Sequence, residues 1–185
     1  MPDVTRAVVL LRGINVGRAK RIAMGPLREA LTARGHGAVV THLQSGNVVL
    51  DTDLDEAALA ADVHACVREE FGHDVDVVVR TGAELADVVA GGPVALPAGT
   101  ELAPKRYLVT FLTAVPAPAA AAAVPVAGPG DGAWALVGRD LHLWLPDGVI
   151  GTPVGGWRWD RLLGTAGTGR NWTTVGRVAE LAGTP

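Results

Sequence analysis

The order in which β-forming runs alternate with helix-spaced runs restricts this chain more than any other feature. Residues 6–12, RAVVLLR, are apolar enough for a central strand covered on both sides. Gly25-Pro26 then opens a helix with proline at its first position, and Gly35 closes it. GAVVTHL (37–43) and NVVLDT (47–52) are two β-rich runs joined by QSG, a hairpin signal. Asp51, Thr52 and Asp53 are candidate caps for a long helix reaching Phe71, with Leu59, Val63, Cys66, Val67 and Phe71 on one face. DVDVVVR (74–80) supplies a fourth strand. The order β-α-β-β-α-β is that of the ferredoxin-like split unit.

A short helix near 82–90 and a Pro/Gly-rich segment, 91–104, separate this first half (1–80) from a second (105–185). RYLVTFL (106–112) starts the second half, and the Ala/Pro-rich stretch 114–124 offers a helix between its prolines. AWALVG and DLHLWLP form a hairpin around Arg139-Asp140, with Leu141, Leu143 and Leu145 alternating onto one face. A short helix follows around 158–163. The closing helix takes Asn171 as its N-cap, Gly183 as its stop, and Val175, Val178 and Leu181 as its buried side. The expected fold class is α+β: two ferredoxin-like halves with antiparallel sheets, plus a C-terminal helix. No sequence repeat accompanies this structural duplication.

The topology of the first half decides where its polar loops point. Strands one and three are the antiparallel central pair, so the end of one and the start of the other share a sheet edge. That edge receives Arg12, Gly13, Ile14 and Asn15 from one side, and Gln44, Ser45, Gly46 and Asn47 from the other. Strand four also begins there, after Phe71-Gly72-His73-Asp74. Arg12 offers a planar fork of donors matched to carboxylate or phosphate, and Arg18, Lys20 and Arg21 follow in the same loop. Asn15, Gln44 and Asn47 each carry a donor and an acceptor, while Gly13, Gly17 and Gly46 allow backbone N–H groups to converge on an anion. Structural roles compete with this reading, since QSGN can be a plain hairpin turn in which Asn47 bonds its own backbone. A second glycine-rich stretch, GTAGTGRNWTTV (164–175), reads as a loop entering a helix, with Arg170 beside a helix start suited to anions.

Several chemistries are excluded or disfavoured. The net charge of −3 argues against a general nucleic-acid binder. Fourteen arginines against two lysines, with abundant Ala, Gly, Val and Pro, reflect codon usage in a GC-rich genome. The single cysteine, Cys66, rules out an intrachain disulfide. The longest uncharged stretch, 107–130, is broken by proline and glycine, so no membrane association is expected and the expected location is cytoplasmic. The five histidines lack zinc-ligand spacing; no metal or cofactor is expected. There is no nucleophile elbow, and Ser45, the only serine, has just His42 and His73 as candidate bases on its edge. Paired loop carboxylates suited to glycosidase chemistry are absent.

LRGINVG followed by I-x-M-x-x-L, then T-x-x-QSGNVV, and finally RNWTTV, resemble the domain-of-unknown-function family 1697, a group of uncharacterised bacterial proteins. The resemblance implies an α+β fold of two ferredoxin-like halves and no established activity, cofactor or partner. Carried over by position, its signature residues are Arg12, Gly13, Asn15, Gly17, Gln44, Ser45, Gly46 and Asn47, then Arg170, Asn171, Trp172 and Thr174. The chain departs from the family at Arg18, where a second glycine is usual, and in IGTPVGG (150–156), which lacks a Ser-Lys pair.

The function expected from these residues is binding of a small anionic or phosphorylated ligand at the sheet edge, with the Arg170 loop as a second wall. Arg12 and Arg170 would neutralise charge, and Asn15, Gln44 and Asn47 would orient the ligand; Gly13, Gly17, Ser45, Asn171 and Trp172 complete the set. Whether catalysis follows, and by which acid or base, is left open. One alternative is a nucleic-acid module, disfavoured because neither central strand carries a stacking aromatic. The other is a protein-interaction module built on an apolar patch around Trp144, Trp157 and Trp159.

Overall fold

The computed structural model describes residues 4–183. Among these, the elements of the first half are β1 (Thr5–Leu11), α1 (Met24–Ala33), β2 (Gly37–His42), β3 (Asn47–Thr52), α2 (Glu56–Phe71) and β4 (Val77–Thr81). The four strands make an antiparallel sheet in the order β2-β3-β1-β4. The register Thr5↔Thr52 through Leu10↔Asn47 aligns β1 with β3 along its whole length. α3 (Gly82–Gly91) follows.

One face of this sheet packs against α1 and α2. Val9, Leu11, Val48 and Leu50 meet Leu27 and Leu31 of α1 and Leu59, Val63, Cys66 and Val67 of α2, all essentially inaccessible. Burying each such aliphatic side chain contributes about 1.5–3 kcal/mol, which makes this layer the main source of local stability. On the other face Val8, Leu10, Val49 and Val78 are buried too. The end of α7 (Trp172–Gly183) approaches that sheet: Arg6 Nη2 donates to the Leu181 carbonyl at 3.3 Å.

The second half repeats the pattern with β5 (Tyr107–Leu112), α4 (Pro118–Ala122), β6 (Ala133–Val137), β7 (Asp140–Trp144), α5 (Gly148–Gly151), a 3₁₀ turn at Pro153–Gly156, α6 (Trp159–Leu163) and β8 (Gly167–Asn171). Its antiparallel sheet runs β6-β7-β5-β8, the same order as the first. Leu112, Leu141, Leu143 and Leu145 pack with Val124, Val154 and Leu163 in a core of its own. The two compact units are the described residues up to Val88 together with those from Arg177 onward, and Val89–Gly176.

Four local expectations are corrected. The stretch 164–175 is not a loop entering a helix throughout: after a bend at 164–166, β8 occupies Gly167–Asn171, pairing with β5 from Leu108↔Asn171 to Leu112↔Gly167. Its glycines are there because β5 leaves no space, since a Cβ on Gly167 would lie 2.8 Å from Leu112 Cδ2 and 2.9 Å from Phe111 O. The cap of α2 is Asp55, whose carboxylate accepts from Ala58 N, because β3 stays paired up to Thr52 and the helix cannot begin earlier. α1 starts two residues before Pro26, so the proline lies within the first turn, where its missing N–H still costs no helix bond. In α7 the buried residues are Thr174, Val175, Val178 and Ala182, with Leu181 only half-buried. Asn171 does cap that helix, accepting from Thr174 N at 2.9 Å.

Candidate functional site

Three polar segments meet at one end of the first sheet: the β1–α1 loop, the β2–β3 turn and the segment before β4. The β1–α1 loop curls tightly because Gly13, Asn15, Gly17 and Lys20 all have φ between +47° and +66°. Asn15 holds that curl. Its Oδ1 accepts from Ile22 N and its Nδ2 donates to the Ile22 carbonyl, both at 2.9 Å. The same Nδ2 donates to the Gln44 carbonyl at 2.7 Å, tying the loop to the turn. Ile14 and Ile22 anchor the loop in the core below.

The other amide expected to orient a ligand is likewise engaged. Asn47 is 1% exposed, and its Nδ2 donates to the His42 carbonyl and to Ser45 Oγ. Asn15 and Asn47 therefore build the scaffold of the turn and loop. Gln44 and Ser45 stand exposed on the turn, and Gly17 on the exposed part of the loop. The left-handed backbone of Gly46 carries no side chain because a Cβ would fall 2.7 Å from Leu11 Cβ and 2.8 Å from Ile14 Cδ1.

Arg12 remains at an opening. Its backbone N–H donates to the Asp76 carbonyl, and its Nη1 donates to Asp76 Oδ2 at 2.9 Å, with the arginine side chain 39% exposed. Lys20 Nζ reaches the same segment, donating to the Asp74 carbonyl at 2.6 Å. Arg12, Gly13, Lys20, Asp74 and Asp76 together line a cleft of about 340 Å³. Arg18 and Arg21 are exposed on the same loop, and the Arg21 carbonyl lies 3.3 Å from His73 Nε2. Four cations thus accompany two carboxylates at this edge. Lys20, Asp74 and Asp76 were absent from the expected ligand set, although the placing of strand four at this edge was the signal that could have included them.

The residues expected from the second glycine-rich stretch have structural partners in the second unit. Arg170 lies in β8, 8% exposed, and its Nη1 donates to Thr168 Oγ1 at 2.7 Å and to the Gly169 carbonyl at 2.9 Å. Burial lowers its pKa to about 10. Trp172 packs edge-on against Tyr107 at 5.4 Å between ring centres. In the same unit the Tyr107 hydroxyl accepts from Ala95 N at 2.9 Å and lies 3.0 Å from His142 Nδ1. Burial holds the pKa of His142 below its ordinary value despite the opposing charge of Asp140, and raises that of Tyr107.

A further charged cluster links α1 to α2 in the first unit. Asp62 accepts from Arg34 Nη1 and lies 3.0 Å from His36 Nε2, while Arg34 Nη2 also bonds Glu69. Cys66, one turn beyond Asp62, is completely buried, and that burial raises its thiol pKa. A buried thiol held protonated is a packing group rather than a nucleophile. Among the described residues no three His, Cys, Asp or Glu side chains come together as a metal-binding group. No helix among them is long and apolar enough to cross a membrane.

Fold and loop cluster together define an α+β protein of two ferredoxin-like units, the first carrying a charged cleft at its sheet edge. The chain belongs to the family described as "Protein of unknown function (DUF1697)", whose match covers residues 4–142. It is similar to the solved structure of the conserved bacterial protein SP0830 from Streptococcus pneumoniae, with a TM-score of 0.71 at 18% identity. That likeness covers 97% of this chain and 99% of the other, and at this identity it speaks to the fold alone. Comparison with curated proteins gives no match.

Proposed function

We propose that this chain binds a small anionic or phosphorylated ligand in the cleft between the β1–α1 loop and the segment before β4. The supporting observation is that Arg12 and Lys20 line one cleft of about 340 Å³, each steadied by the opposite wall. Arg12 brings a fork of donors of which Asp76 receives one nitrogen, so the others can serve a ligand. The Arg12–Asp76 pair is solvent-exposed, and such pairs contribute only about 0–1 kcal/mol. A phosphate carrying close to two charges competes well against a single carboxylate held that weakly. Gly13, at φ +66°, lines the cleft with bare backbone. Asn15 and Asn47 act through the loop and turn that they stabilise.

Titration calorimetry with phosphate, pyrophosphate and nucleoside monophosphates tests the reading. Saturable binding is expected for at least one of them. Arg12→Ala should weaken it about tenfold or more, equivalent to about 1.4 kcal/mol, and rising salt should weaken it further. Absence of saturable heat with every anion, or binding that Arg12→Ala leaves unchanged, would remove the proposal.

A further inference from the structure

The second unit has an opening of different character. Pro125, Trp157 and Leu162 form the apolar lining of a shallow groove of about 430 Å³, flanked by Arg158 and Arg161. Its floor is held in place from behind. Trp157 leans on Trp159 at 5.4 Å between ring centres, and Trp159 meets Trp134 edge-on at 5.6 Å. Trp159 Nε1 donates to the Val154 carbonyl at 3.0 Å and Trp134 Nε1 to the Pro125 carbonyl at 3.2 Å, so neither ring can turn without breaking a bond. Trp157 itself is half-buried, one side packed and the other open.

Charge at the rim is positive. Arg158 and Arg161 are both exposed. Arg158 has a loose 3.6 Å contact with Asp160, whereas no carboxylate among the described residues lies within 4.0 Å of Arg161. A protein that merely needed to cover an indole would place an apolar residue there. This one surrounds an aromatic surface with guanidinium groups, which attract an acidic group and also stack on flat rings. The volume lies in the lower part of the range for small-ligand sites.

We propose that this groove is a binding site for a small organic anion: an apolar, preferably flat body lying on Trp157 and Leu162, with one acidic group between Arg158 and Arg161. Because the tryptophan wall is held before any ligand arrives, little ordering is needed on binding. The site lies wholly within the second unit and is independent of the Arg12 cleft.

The test uses 1-anilinonaphthalene-8-sulfonate as the probe, with the uncharged N-phenyl-1-naphthylamine as its comparator, on the folded full-length chain. The sulfonate should bind one per chain, with saturable energy transfer from tryptophan. Arg161→Glu should weaken it at least tenfold, and Arg158→Glu, a second surface variant, should act in the same direction. Arg28→Glu, an equal change of charge on α1, should leave the constant within twofold. The neutral probe should bind at least tenfold more weakly than the sulfonate. Equal weakening by Arg161→Glu and Arg28→Glu, or equal binding of the two probes, would overturn the proposal.

Discussion

Gly46 shows how closely a single position can be specified. It combines a left-handed backbone at φ +76° with side-chain atoms of Leu11 and Ile14 less than 3 Å from where a Cβ would stand. Gly46→Ala is therefore expected to destabilise the chain by about 1–3 kcal/mol through overpacking alone, read as a lower midpoint in urea with the slope unchanged. Asn15 and Asn47 carry the complementary lesson. Their residue types were legible as polar groups at a sheet edge, but their partners were not. Those partners are main-chain carbonyls of Ile22, Gln44 and His42, whose directions exist only once the loop has curled. An amide that could orient a ligand reads in sequence the same as one that closes a loop. Arg12 was legible because its position at the end of β1 is fixed by strand pairing rather than by loop conformation.

Among the elements, those built on apolar periodicity could be read directly. β1, β3 and α2 alternate or repeat with apolar residues that the core then buries. β8 could not, because Gly-Thr-Gly-Arg-Asn has neither alternation nor β-branched bulk on the face toward Leu108, Thr110 and Leu112. It is a strand by virtue of its partner, a tertiary override of weak local preference. Helix ends fall between these cases. Thr81 and Glu84 form a reciprocal capping box at the start of α3, with Thr81 N donating to Glu84 Oε2 and Glu84 N to Thr81 Oγ1. At α2 the three candidate caps, Asp51, Thr52 and Asp53, all fall short of the helix, and Asp55 meets its first free N–H groups instead. Asp55→Ala is expected to cost about 1 kcal/mol, whereas Asp53→Ala, beyond that turn, should shift the melting temperature little.

At the scale of the molecule, the duplicated sheet order is matched by different chemistry in each unit. Both units bury polar side chains, Asn47 and Arg80 in the first and His142 and Arg170 in the second, but only the second buries a histidine against a tyrosine hydroxyl. Buried His142 Nδ1 lies 3.0 Å from the Tyr107 hydroxyl, which already accepts from Ala95 N, and a protonated ring would place a charge in that buried setting. Because burial holds the folded-state pKa below the ordinary 6.5, the unfolded chain takes up protons first as the pH falls. The stability contributed by neutral His142 is thus complete above about pH 6.5 and is lost as the pH drops towards the folded-state pKa. His42, also shifted downward by burial and by Arg177, adds a loss of the same sign. His142→Gln should flatten part of the acid limb of the melting-temperature profile and leave the His42 part. An unchanged limb would show that His142 already titrates normally in the fold.

The proposed function depends on a charged cleft assembled by antiparallel pairing of β1 with β3 and β4. Residue-resolved amide NMR during titration with pyrophosphate addresses it most directly. Saturable shifts should concentrate at Gly13, Lys20, Asp74 and Asp76 and require about tenfold or more pyrophosphate in Arg12→Ala. Shifts confined to other parts of the chain, or none that saturate, would contradict it.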